Sequence, residues 1–221
     1  MTREAYHKAL QNLQAEVMEM GEMVENAVKK SVEALQKRDK KSSEEIIRND
    51  LFINKKRFDI EEKCLFLIAT QQPMAVDLRT LAAILSIITD LERIGDHAEG
   101  NAKITILMGD EPLVKPLVDI PRMADIGLSM LDKSLKAFVQ RDAETARLIC
   151  NDDDMVDALH DQIYKELLIF MMENPKVIRM ATYLTWISHN LERIADRATN
   201  IAERVVFMVT GKMEELNVSK Y

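Results

Sequence analysis

The sequence predicts an all-α protein made of two tandem, pseudo-symmetric three-helix bundles, and three observations carry that prediction. Glycine (6) and proline (5) are scarce among 221 residues while Ala, Leu, Glu, Lys and Met abound, the composition of long helices rather than of strands joined by tight turns. Apolar residues make up 47% of the chain, enough to bury a substantial core and too many for a disordered segment. The second half also restates the first. Ala34-Leu35-Gln36-Lys37-Arg38-Asp39 lies over Ala137-Phe138-Val139-Gln140-Arg141-Asp142, and Leu91-Glu92-Arg93-Ile94-Gly95-Asp96 over Leu191-Glu192-Arg193-Ile194-Ala195-Asp196. Between these anchors the offset falls from 103 to 100 residues, passing through Pro73 over Pro175 at 102, so short deletions fall where turns are expected.

In the first repeat the helices are expected at about 4–37, 42–70 and 74–108, and in the second at about 120–140, 143–173 and 176–210. Ser42 with Glu45 fits a capping box for the second helix, Asp142 is placed to cap the fifth, and Pro73 and Pro175 supply the fixed φ of a first turn. The stretch 109–116, with one glycine and two prolines, is the one linker-like segment, which divides the chain into units 1–111 and 112–221. Short turns force neighbouring helices to run antiparallel, and two bundles of ~100 residues are expected to pack about a pseudo-twofold axis rather than leave apolar faces open. Cys64 and Cys150 match Leu167 and Ile47 across the repeat and read as buried thiols. Most of the 14 methionines read as adaptable core filler, and the remainder as a repackable partner surface.

Charge narrows the function. A net charge of −7 argues against direct nucleic-acid binding, which needs concentrated positive charge to displace phosphate counterions. The runs Lys37-Arg38-Asp39-Lys40-Lys41 and Lys55-Lys56-Arg57 read as solvated faces. No apolar stretch reaches the ~18 residues of a membrane span, and the charged N-terminus lacks the apolar centre of a signal peptide, so a cytoplasmic protein without membrane insertion is expected.

On the third helix Leu81, Leu85 and Ile88 form an apolar stripe, and at ~100° per residue Glu92 and Asp96 fall near the same line. The sixth helix repeats this with Ala181 and Ser188 leading to Glu192 and Asp196, and Asn200 one turn later. Two carboxylates at i and i+4 repel one another, more so when desolvated, and either a cation or a neighbouring base has to compensate. Carboxylate oxygens suit Mg, Mn, Fe, Ca or Zn, so a metal is one answer; Arg93, Arg193 or a lysine of a neighbouring helix is the other. Glu19 and Glu22 are possible further donors. Asp157 and His160 stand three apart, but their repeat counterparts are Asn54 and Arg57, and the pair is set aside as ligands. His7, His97 and His189 lack catalytic spacing, and no phosphate-binding glycine loop, nucleophile elbow or Cys-x-x-Cys is present.

The paired motifs Leu91-Glu92-Arg93-Ile94-Gly95-Asp96-His97-Ala98 and Leu191-Glu192-Arg193-Ile194-Ala195-Asp196-Arg197-Ala198-Thr199-Asn200, with Gln71-Gln72-Pro73 and Asp77-Leu78-Arg79, resemble the PhoU family from about residue 5 to 210. The resemblance implies a duplicated three-helix bundle binding metal ions through Glu92, Asp96, Glu192, Asp196 and Asn200, iron or zinc foremost, with manganese and magnesium as further candidates. It implies a non-enzymatic regulator of phosphate uptake whose partners are a phosphate-sensing histidine kinase and the ATPase of a phosphate ABC transporter, with a homodimer as a further assembly. Gly100 stands where the family often has asparagine, and Lys103 stands opposite Glu203, so the first site is expected to bind more weakly. The competing readings are a carboxylate-bridged di-metal oxidase or hydrolase, which would require open coordination positions and usually histidine ligands, and a metal-free helical scaffold.

Overall fold

The computed structural model describes residues 3–216; residues 1–2 and 217–221, the outer ends of the two predicted units, lie outside the described residues. The first repeat consists of α1 (Arg3–Lys37), α2 (Lys40–Gln71) and α3 (Val76–Met108), the second of α4 (Asp119–Gln140), α5 (Ala143–Glu173) and α6 (Ile178–Thr210). Among the described residues there is no strand, and no helix is long and apolar enough to cross a membrane.

The turns α1–α2 and α4–α5 are built by one device used twice. Arg38 and Arg141 enter the left-handed region at φ 57° and 55°, where a side chain is strained, and the next residue caps the following helix. Asp142 accepts from the N–H groups of Glu144 and Thr145, both at 3.0 Å, and Asp39 accepts from the N–H of Ser42 at 3.1 Å and from its hydroxyl at 2.6 Å. The capping box expected from Ser42 and Glu45 is therefore displaced: α2 begins two residues earlier, and Ser42 donates to the cap instead of forming it. Hydrogen bonds hold the strained arginines. Arg38 donates to the carbonyls of Met108 and Gly109 at the end of α3, and Arg141 Nη2 to Thr80 Oγ1 at its start, 3.1 Å away. Arg38 is thus a structural latch, not part of a solvated run.

Pro73 does not open α3. Gln72 at φ 47° and Ala75 at φ 48° bracket it in a non-helical turn, and the helix starts at Val76. Pro175 begins a short 3-10 turn, Pro175–Val177, capped by the Asn174 side chain, which accepts from the Lys176 N–H at 3.1 Å; α6 follows from Ile178.

α3 and α6 form the centre, each packed on both other helices of its repeat and on one another; α1 also meets α4, while α2 and α5 are the outer helices. The central pair is antiparallel. Arg79 reaches the Met208 carbonyl, Asp90 meets Asn200, and Asn101 meets Asn190, so the contact is nearly symmetric about Gly95 and Ala195, as a pseudo-twofold axis requires. One continuous apolar core spans both repeats. In α3 its line runs through Leu81, Ile84, Ile87, Ile88, Leu91 and Ile94, all buried, each side chain contributing ~1.5–3 kcal/mol by leaving water. Cys64 is buried and Cys150 partly so; burial pushes their thiols up to about 12 and about 11, and both remain free and unreactive.

Candidate functional site

Glu92 and Asp96 do not interrupt the core of α3. The buried line passes through Leu91, Ile94 and Ala98, and the two acids stand at its edge, half-buried, facing α2. Asp50 of α2 comes up against them. Burial raises its carboxyl first, and Glu99, Asp96 and Glu92 raise it further, while the hydrogen bond from Asn54 to its Oδ2, at 2.7 Å, acts the other way. Arg93 pairs with Asp96 at 2.9 Å and approaches Glu92 at 4.0 Å.

The second repeat builds the corresponding place with more charge. On α6 the side chains of Glu192 and Asp196 are 22% and 26% exposed, and α5 supplies two carboxylates, Asp153 and Asp157. Burial holds Glu192 up at about 7, with Asp196 and Asp157 adding to it against the pull of Arg193. Asp153 is likewise held at about 7, by burial and then by Asp157, Asp196 and Glu192. Arg193 donates to Asp196 Oδ2 at 2.6 Å, and His189 Nδ1 lies 3.1 Å from Glu192 Oε2. Burial lowers His160, whose ring lies 5.9 Å from that of His189 and whose Nδ1 is 3.1 Å from Ser188 Oγ.

Asn200, one turn beyond Asp196, lines one cavity with Asp196 and Arg193. Its amide donates to Asp90 Oδ1 at 3.3 Å across the α3–α6 contact, where Arg197 Nη1 also donates at 3.3 Å. At the symmetry-related place Asn190 donates to Asn101 Oδ1 at 2.9 Å, and a β-carbon at Gly100 would stand 3.2 Å from the Asn190 amide nitrogen. Glycine at 100 therefore admits Asn190 to the helix contact. Lys103 pairs with Glu99 at 2.6 Å, and Glu203 accepts from the backbone N–H of Leu216 at 2.8 Å. Glu19 is held by Lys56 at 2.5 Å on the edge of α1 and α2, and Glu22 acts on Glu25; no contact among the described residues joins either to Glu92 or Asp96.

Of the two kinds of compensation for the paired acids, the neighbours supply the base. The arginine pairs are formed, and among the described residues no group of three His, Cys, Asp or Glu side chains stands in the arrangement of a ready metal site. The donor set nevertheless fits a hard or borderline cation: it is all carboxylate, a buried Asp50 oxygen has no donor, and in the second repeat four acids face one another with Glu192 and Asp153 held near 7. The side chains of Arg93 and Arg193 are 55% and 38% exposed.

The PhoU domain matches residues 17–105 and 120–205, once on each repeat. The chain belongs to the PhoU family. It is 38% identical over 218 residues to the phosphate-specific transport system accessory protein PhoU homolog of Clostridium acetobutylicum, covering 98% of this chain and all of that one. It is 38% identical over 206 residues to the Aquifex aeolicus homolog, covering 93% of each. The crystal structure of the phosphate transport system regulatory protein PhoU from Streptococcus pneumoniae superposes with a TM-score of 0.89 at 33% identity, over 95% of this chain and 99% of that one. PhoU from Pseudomonas aeruginosa gives a TM-score of 0.89 at 32% identity, over 94% and 100%.

Within this PhoU architecture the structure adds residues that the motif reading omitted. Asp50 and Asp153 occupy the same place in the two repeats, and Asp153 with Asp157 has the same i, i+4 spacing as Glu192 with Asp196. The 103-residue offset that aligns Asp39 with Asp142 also aligns Asp50 with Asp153, and that was the available signal. Asp157, set aside with His160, belongs to the acidic cluster, while Asn54 at the matching position carries no charge.

Proposed function

We propose that this chain is a non-enzymatic, metal-binding regulator of phosphate uptake that restrains phosphate-starvation genes by docking on a phosphate-sensing histidine kinase and the cytoplasmic ATPase of a phosphate ABC transporter. The relatives' names, accessory protein of a phosphate-specific transport system and phosphate transport system regulatory protein, support the regulatory part. The observation that carries the metal part is the carboxylate cluster of the second repeat. Glu192 and Asp196 of α6, with Asp153 and Asp157 facing them from α5, would hold the ion. The positive charge supplied there relieves the mutual repulsion of the acids and ties the outer helix α5 to the central α6. Glu92 and Asp96 form the weaker site, because Asn54 replaces the fourth acid. Asn200 supports the second site from the α3–α6 contact.

The net charge of −7 supports a route through protein partners rather than DNA, at the cytoplasmic face of the membrane. Exposed Leu148, Met155 and Ile169 along α5 offer a surface for a partner or for a second copy in a homodimer. Deleting the protein is expected to leave phosphate-starvation genes on in rich phosphate, and Glu192→Ala with Asp196→Ala to weaken repression while the helices persist. Full repression by a correctly folded double variant that has lost its metal would remove the link between cluster and regulation. Oxygen consumption on adding Fe(II) would favour a di-metal oxidase instead.

A further inference from the structure

α2 packs on α1 and α3 alone, and its outer face is open among the described residues. That face is not polar. Leu51, Phe58 and Leu65 recur at seven-residue steps along one edge, and Phe52 and Phe66 stand along the other; all five are between 52% and 72% exposed. One exposed apolar side chain needs no explanation, but five on a single helix face form a patch of the kind that marks an interaction surface. Arg57 stands over the ring of Phe58, 5.0 Å from its centre, and so helps to fix that ring at the midpoint of the stripe.

Between the two edges run Lys55 and Glu62, both exposed. The neighbouring bases have partners within the chain, since Lys56 and Lys63 pair with acids of α1 and Arg57 pairs with Glu61. No ion pair among the described residues involves Lys55 or Glu62. The second repeat does not carry this pattern. At the 103-residue offset Asp154 and Asp161 stand for Leu51 and Phe58, Ala158 stands for Lys55, and Asp161 pairs with Lys165 inside α5 at 3.2 Å.

The order of the charges decides what can cover the face. Lys55 lies as far before the step from Phe58 to Asp59 as Glu62 lies after it. A twofold axis across α2 at that step lays Leu51 over Leu65, Phe52 over Phe66, Phe58 over Phe58, and Lys55 over Glu62 twice. Parallel pairing would instead oppose Lys55 to Lys55 and Glu62 to Glu62, and like charges in contact are repulsive. The face is complementary to itself run backwards.

We propose that the outer face of α2 is a homodimer interface, in which two copies of this chain pack antiparallel through their α2 helices about Phe58. Beside Phe66 the groove between α1 and α2 opens into a cavity of about 530 Å3, lined by Ala9, Leu13 and Leu67, where Phe52 of the second copy enters. An aromatic ring seated in such a pocket is where interface energy concentrates. At ~200 Å2 for a whole aromatic side chain, the two stripes together reach roughly the 1,200 Å2 at which specific interfaces begin, so the dimer dissociates in the micromolar range. Asp59 meets Asp59 of the second copy and is the one like-charge contact. The inference rests on the function proposed above only in taking a homodimer as one of the protein's assemblies; it gives the second copy α2 and leaves α5 to partner proteins.

Sedimentation of the full chain from about 1 to 300 μM tests it, with far-UV circular dichroism to confirm that each surface variant keeps its helices. A single monomer–dimer equilibrium is expected. Phe58→Ser, Lys55→Glu and Glu62→Lys are each expected to weaken it by about tenfold or more, and Asp59→Asn to tighten it. The double variant Lys55→Glu with Glu62→Lys is expected to return to within about threefold of wild type, and the two single variants are expected to associate with one another when mixed, since either restores both ion pairs. A chain that stays monomeric throughout would overturn the interface, as would a dimer indifferent to Phe58→Ser and to both single charge changes, which would place the contact on another face. Failure of the double variant to recover overturns the antiparallel register, and growth beyond a dimer overturns the twofold. None of these measurements reads gene repression or metal content, so their failure leaves the regulatory reading standing.

Discussion

Asp39 and Asp142 show how a single side chain sets an element boundary, and their chemistry gives a pH test. Hydrogen bonds from Ser42 and from Thr145, hydroxyl and backbone N–H alike, hold the two carboxyls below the usual aspartate value. A depressed folded-state value means that the cap stabilises fully above the unfolded value of 3.8 and loses its charge-dependent part as pH falls through the folded one. Urea melts of wild type and of Asp39→Asn with Asp142→Asn should therefore differ at about pH 6, and the difference should shrink as pH falls through the folded-state values. A constant difference would show that the charges contribute nothing. Asp142 was legible because nothing competed with it, whereas Asp39 was masked by Ser42, an equally good capping residue in isolation. Asp50 and Asp153 were harder still. A lone acid in an apolar helical pattern has no local signature, and only the neighbouring helix gives it partners.

At the scale of the elements, the helices followed from periodicity, but three of their starts did not. α2 and α3 begin where turn geometry at Arg38, Gln72 and Ala75 dictates, and α6 waits for the 3-10 turn of Pro175. The edge position of Glu92 and Asp96 was also illegible: Leu81 and Ile88 lie on the buried line, but Leu85, Glu92 and Asp96 follow its half-buried edge. Packing gives the sharper prediction. Phe138, fully buried near the end of α4, should cost ~3–5 kcal/mol when truncated to alanine, read as a lower urea midpoint at unchanged slope. A loss below ~1 kcal/mol would mean that the end of α4 repacks freely. Gly21 is another close contact, since a β-carbon there would meet Leu135 Cδ1 of α4; Gly21→Ala should destabilise modestly, as Leu135 has to shift to another rotamer.

For the whole molecule, the duplication was the most informative feature of the sequence, because it yields the architecture, the antiparallel α3–α6 pair and the two acidic places together. What it did not reveal is how far the two places have diverged, with Asn54, Gly95 and Asn49 in the first standing against Asp157, Ala195 and Asp152 in the second. One core runs through both repeats, so chelation should leave the far-UV helical signal intact, unlike a zinc finger; its collapse would assign the ion a folding role. The central claim is that the carboxylates of α5 and α6 hold a cation, and an anomalous difference map from crystals grown with manganese tests it most directly. The account predicts a peak among Glu192, Asp196, Asp153 and Asp157, stronger than any beside Glu92 and Asp96, with Arg193 displaced from Asp196. A map without a peak at that place, and with the Arg193–Asp196 pair intact, would contradict it.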